Sequence, residues 1–264
     1  MGIGRIGRVT PVLDEGSGRA GIGVVVPFDF VLDREYWDLL PDHVDLYFTR
    51  TPYVDSPVSM ELAAIVSDEE VVVEGVRALV VADPDVSVYA CTSGSFLRGV
   101  SGEHALCQAM EQAGARKALT TSGALLEALD VLGVRNVAVA TPYDRPLTEK
   151  LVEFLAEAGV FVPSTSFLDL QGDISRVTPE SVIELTMASD HDDAQAIFLS
   201  CTGLRSLEVV PELEARLDKP VLSANAVTMW AAARSFGAGP RPLDHRLYQA
   251  SDRGAPQAAV TERG

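Results

Sequence analysis

Short runs of β-branched and aromatic residues alternate along the chain with longer stretches whose apolar positions recur every three or four residues. Strands are predicted at 21–27 (GIGVVVP), 44–49 (VDLYFT), 86–90 (VSVYA), 117–121 (KALTT), 136–141 (NVAVAT), 159–163 (GVFVP), 196–200 (AIFLS) and 220–223 (PVLS). The amphipathic stretches 68–82, 103–114, 122–132, 146–158, 179–189, 207–217 and 225–236 predict helices. Pro179, directly after Thr178, suits a first helical position, and Gly133 and Gly159 each sit just past a helical pattern. Such alternation is the pattern of βα units feeding a parallel sheet, so the fold class is α/β.

The pattern also repeats. The first four strand starts recur, in order, about 103 to 115 residues later. The match is local too, because "YACTSGS" after the third strand parallels "LSCTGLRS" after the seventh, with Cys-Thr at 91–92 and again at 201–202. The expected architecture is two pseudo-symmetric βαβ-type subdomains, each with a four-stranded parallel sheet, with the active site in the cleft between them. The expected division is 21–121 plus 226–240 for the first subdomain and 122–225 for the second. Residues 1–20 are expected to form a flexible leader and 241–264 a mobile tail.

Composition narrows the function classes. With 264 residues and 47% hydrophobic content the chain can bury a substantial core. The net charge of −17, with no run among the 21 basic residues, argues against a nucleic-acid partner. No stretch approaches the roughly 18 consecutive apolar residues of a membrane span, and no signal peptide is evident, so a cytoplasmic protein without a membrane partner is expected. The three cysteines lie far apart and lack metal-ligand spacing, so neither a disulfide framework nor a metal site is expected. Gly2, Gly4 and Gly7 fit a dinucleotide-binding fingerprint, but no strand precedes them and Thr10-Pro11 follows; no cofactor is expected from them.

Candidate chemistry centres on the two Cys-Thr pairs. Parallel α/β sheets bind ligands beyond the carboxyl ends of their strands. Both pairs fall there, so Cys91 and Cys201 are expected to approach one cleft from opposite sides. Thr92, Ser93, Thr202 and Gly203 offer hydroxyl and backbone donors suited to a carboxylate. A helix start behind each pair would supply a positive field that lowers the thiol pKa. Cys107, in "HALCQAM", reads as core filling.

Taken together, "YACTSGS", "TTSGALLEAL" at 120–129, "VAVATPY" at 137–143, "LSCTGL" at 199–204 and "PVLSANAVTMW" at 220–230 resemble the aspartate/glutamate racemase superfamily, in particular its maleate cis-trans isomerase and arylmalonate decarboxylase branch. The resemblance spans about Gly21 to Gly237. It implies that Cys91 acts as nucleophile in an isomerase, that Cys201 delivers or removes a proton, and that Tyr143 donates a hydrogen bond to a substrate carboxylate. It also implies a homo-oligomer and a small carboxylate substrate. Retention of both cysteines favours the isomerases, since the decarboxylases typically carry a small residue at the first position. Racemisation by two opposed thiols, malonate-type decarboxylation and a non-catalytic carboxylate-binding protein stay open as alternatives.

One stretch departs from the pattern. After the first strand the chain reads Pro27-Phe28-Asp29-Phe30, where the isomerases carry small polar residues and an asparagine. Asp29 stands at the substrate wall, or is turned outward or bound to backbone as a cap, and the substrate is expected to be larger or less charged than maleate. Ser122 and Asn225, after the fourth and eighth strands, either contact ligand or cap their helices. Arg50 reads as a loop arginine near the cleft.

Overall fold

Eight strands and eleven α-helices follow one another in the computed structural model, which describes residues 20–238, 241 and 243–251. The order is β1 (Ala20–Val26), α1 (Asp33–Asp38), β2 (Val44–Arg50), α2 (Met60–Val66), α3 (Glu69–Leu79), β3 (Val86–Tyr89), α4 (Thr92–Phe96), α5 (Gly99–Gln112), β4 (Ala118–Thr120) and α6 (Thr121–Val131). It continues with β5 (Val137–Thr141), α7 (Arg145–Glu157), β6 (Thr165–Phe167), α8 (Pro179–Ser189), β7 (Ala196–Leu199), α9 (Val210–Leu217), β8 (Val221–Ser223), α10 (Ala224–Ser235) and α11 (Arg246–Ser251).

The strands form two four-stranded sheets, ordered β2-β1-β3-β4 and β6-β5-β7-β8, and every pairing is parallel. The second order is the first with four added to each strand, so the repeat in the sequence is a repeat of topology. In each sheet the two central strands are buried, apart from Ala20 at the start of β1, as expected for near-continuous apolar runs such as VSVY and AIFL covered on both faces. Helices α6 and α10, which follow the last strand of each sheet, pack on one another; Thr228 Oγ1 donates to Thr121 Oγ1 at 3.0 Å. One apolar cluster runs through this contact and unites residues of both sheets, among them Val88, Leu125, Phe198 and Trp230.

Three sequence expectations need correction. The sixth strand is at 165–167 instead of 159–163. Phe161 makes only an isolated bridge to Asn136, and Pro163, which has no N–H to give, separates it from the paired segment. Helices α1, α2 and α4 were not anticipated; each has seven residues or fewer. Part of the expected mobile tail is packed: Leu247 and Tyr248 of α11 are buried, and Tyr248 Oη donates to the Ala226 carbonyl at 3.2 Å. The expected leader, apart from Ala20, lies outside the described residues, as do 252–264.

Candidate active site

The carboxyl ends of the four central strands open on one cavity of about 250 Å³. Beyond β1 it is walled by Pro27–Phe30, beyond β3 by Cys91–Ser93, beyond β5 by Tyr143, and beyond β7 by Cys201–Gly203. Eight residues singled out in the sequence thus meet there: Asp29, Cys91, Thr92, Ser93, Tyr143, Cys201, Thr202 and Gly203. The two Cys-Thr loops also touch directly, since Thr202 Oγ1 faces the Ala90 carbonyl at 3.4 Å.

Each loop is held from behind. In the first, Ser95 Oγ donates to the Thr92 carbonyl at 2.9 Å and lies 2.6 Å from Ser122 Oγ. The Ser122 N–H donates to Ser95 Oγ at 3.1 Å. In the second, Asn225 Nδ2 donates to the Thr202 carbonyl at 3.2 Å and to Glu35 Oε2 at 2.6 Å. Ser122 and Asn225 therefore stand outside the cavity lining and support the loops that form it. Neither caps its helix; Thr120 accepts from the Gly123 N–H to cap α6, and Ser223 accepts from the Ala226 N–H to cap α10.

Glu35 went unread in the sequence. It reaches from α1 to the second loop, where its Oε1 accepts from the Ser206 N–H at 2.8 Å and the Leu207 N–H at 3.3 Å. In the sequence it is one acid among the charged residues of "DREYWD", and α1 is too short to show a periodic face. Arg50 is committed as well: it pairs with both Asp33 carboxylate oxygens at 2.9 Å and donates to the Phe30 carbonyl at 3.2 Å. With the Phe28 N–H donating to Thr51 Oγ1 at 3.1 Å, this pins the Phe28–Phe30 wall to the end of β2.

Electrostatics overturn the expected low thiol pKa values. Burial raises the Cys91 thiol, against smaller opposing effects of the Gly94 N–H and Ser93 hydroxyl. Burial likewise pushes Cys201 up to about 12, partly offset by the Gly203 N–H, which meets its sulfur at 3.3 Å. A helix-start field was expected to prevail, but α4 has only five residues and the nearest helix after Cys201 starts at Val210. Desolvation therefore wins over the dipole. Burial also raises the Tyr143 phenol well above its ordinary value, so it stays a donor. Ser200 Oγ donates to Tyr143 Oη at 3.5 Å, and the phenolic O–H itself faces the Cys201 sulfur.

Two features set the two Cys-Thr loops apart. Thr92 Oγ1 is buried without a hydrogen-bond partner, and such a group costs stability unless something else satisfies it. Cys201 has φ of +90°, a strained backbone for a residue with a Cβ. Asp29 reaches solvent at the cavity mouth, where the surrounding wall raises its carboxyl above the ordinary value and its own N–H partly offsets the rise.

Residues 59–246 match a family model described as arylmalonate decarboxylase. Arylmalonate decarboxylase of Bordetella bronchiseptica is 37% identical over 166 residues, covering 61% of this chain and 69% of that protein. Maleate isomerase of Nocardia farcinica is 32% identical over 227 residues, covering 81% of this chain and 89% of that protein. A crystal structure of a double mutant of arylmalonate decarboxylase in liganded form superposes with a TM-score of 0.80 at 33% identity, covering 86% of this chain and 98% of that one.

Proposed function

Because this chain belongs to the arylmalonate decarboxylase family, in which its relatives include maleate isomerases, we propose that it is a cofactor-independent cis-trans isomerase of a small unsaturated carboxylate. The observation that carries the reading is the pair of thiols, Cys91 and Cys201, brought to one cavity from opposite sheets beside hydroxyl donors. A decarboxylase needs only one thiol to protonate its product; addition to a double bond with proton traffic on the neighbouring carbon uses two.

In this reading Thr92, Ser93 and Tyr143 hold the carboxylate. Cys91 gives its proton to solvent and its sulfur adds to the alkene carbon, while the former π pair takes the proton of Cys201 at the carbon next to the carboxylate. The remaining carbon–carbon single bond rotates. Cys201, now a thiolate facing the Gly203 N–H, takes the proton back; the pair re-forms the double bond, the carbon–sulfur bond breaks, and Cys91 regains its proton. The high Cys201 pKa suits a group that must arrive protonated, and the Gly94 N–H and Ser93 hydroxyl favour the Cys91 thiolate once formed.

Mass spectrometry and proton NMR test this together. Cys91→Ala is expected to lower isomerisation by roughly 10³-fold or more. Cys201→Ala is expected to lower it by about 10² to 10⁴-fold while leaving Cys91 able to carry a substrate adduct. Turnover at the full rate by Cys91→Ala, or an adduct on Cys201 alone, sinks the assignment.

A further inference from the structure

The donors nearest the two thiols lie together in the cavity. Thr92, Ser93 and Tyr143 cluster with the two thiols, and the unpartnered Thr92 hydroxyl lies among them. The side formed by Val58, Leu62, Ala63 and Val66 is apolar apart from the Ser59 hydroxyl, which accepts from the Leu62 N–H, and it holds no cation. The mouth is acidic: Asp29 and Asp173 line it, and among the described residues no Lys, Arg or His does. Asp173 is offset by Arg176, 3.4 Å away and itself exposed. Asp29 has no cationic partner among the described residues, and its charge acts on both thiols.

From this we infer, resting on the isomerase reading, that the substrate carries a single carboxylate and that Asp29 is the residue that rejects a second one. A cis dicarboxylate seated with one end on Thr92 and Tyr143 would put its other end against an apolar wall or near the Asp29 carboxylate. The first placement strips water from an anion, the second sets it beside a like charge, and neither supplies a cation. A cis-unsaturated monocarboxylate with an uncharged polar group at the far end meets no such penalty, and an N–H there can donate to Asp29. The Arg50 and Thr51 contacts fix the backbone on either side of Asp29, so the charge stays at this wall.

Maleate and its half-amide, maleamate, have nearly the same shape and differ by one charge. At roughly pH 8 maleate is fully ionised, well above the ordinary carboxylate range. The test measures kcat/KM for cis-trans isomerisation of each, and the protection each gives Cys91 and Cys201 against alkylation, in the wild type, Asp29→Asn and Asp29→Glu. The expected result is a preference for maleamate of tenfold or more in the wild type and in Asp29→Glu. Asp29→Asn is expected to cut that preference about tenfold, by improving maleate. A wild type that prefers maleate, or a ratio unmoved by Asp29→Asn, overturns the inference and leaves the isomerase reading standing. If both compounds protect the thiols and neither is isomerised, the isomerase reading fails and charge selection is judged on the protection constants alone.

Discussion

The same dipeptide, Cys-Thr, ends a central strand in each sheet, yet the two loops it begins are built in opposite ways. Cys91 has an ordinary extended backbone, φ −138° and ψ 113°, and stands directly before α4. Its loop is braced locally, by Ser95 and by Ser122 at the end of the same sheet's last strand. Cys201 has φ of +90°, and its loop runs on without a helix to Val210. Asn225, directly after that sheet's last strand, holds the Thr202 carbonyl, and a second brace comes from far away in the chain, from Glu35 on α1, through Asn225 and the Ser206 and Leu207 amides. A duplicated topology has thus placed two thiols symmetrically while their supports have become unlike. The relaxed loop suits a nucleophile that must present its sulfur in one direction, and the strained loop suits a proton carrier held to one position by the other half.

Cutting the long-range brace separates the loops most strongly. Glu35→Ala removes the acceptor of two backbone N–H groups and one Asn225 contact in a half-buried setting. The expected cost is about 2–4 kcal/mol in denaturant unfolding, after allowing for the desolvation that Glu35 no longer suffers. The matched change on the first loop, Ser122→Ala, leaves Ser95 bonded to the Thr92 carbonyl and should cost only about 1 kcal/mol. Equal costs would mean that the loops are braced alike.

This asymmetry explains what the chain could and could not reveal before folding. Apolar runs marked the central strands because burial on both faces leaves little room for polar residues, and the Cys-Thr repeat lies on the ends of β3 and β7. The cavity was legible for the same reason. Glu35 was not, since its partners lie about 170 to 190 positions away and nothing in a six-residue helix announces them. Helix α4 was hidden because Thr-Ser-Gly-Ser is turn composition, and only tertiary contact winds it. The thiol pKa values failed as expectations because spacing reports a helix start but not the depth of burial.

Alkylation as a function of pH sharpens the electrostatic half of the comparison. Both thiols are expected to react slowly at neutral pH and to gain about tenfold in rate per pH unit, because only the thiolate reacts and both pKa values are raised. Cys201 should keep gaining toward about 12. A plateau near the ordinary thiol value of about 8.5 at either cysteine would show that burial does not control it. The sign for stability follows: the folded chain holds these protons more tightly than the unfolded one. The contribution is complete below about 8.5 and is lost as pH rises from there through the folded-state values.

The smallest effect is the most diagnostic, because the two sites should differ in sign. Comparing alanine with glycine at one position cancels the loss of the thiol and leaves the backbone. At 91 the extended conformation suits any residue, so replacing alanine by glycine only frees the unfolded chain and should cost about 0.5–1 kcal/mol. At 201 the +90° φ strains every residue with a Cβ, and glycine escapes that strain of about 1–3 kcal/mol. Relief there should exceed the entropic cost, so Cys201→Gly is expected to be more stable than Cys201→Ala by about 1 kcal/mol. For a chain of this size that is a rise of roughly 2–4 °C in Tm. Cys91→Gly should instead melt below Cys91→Ala. If glycine destabilises both positions, the second loop carries no backbone strain, and Cys201 is held by its contacts alone.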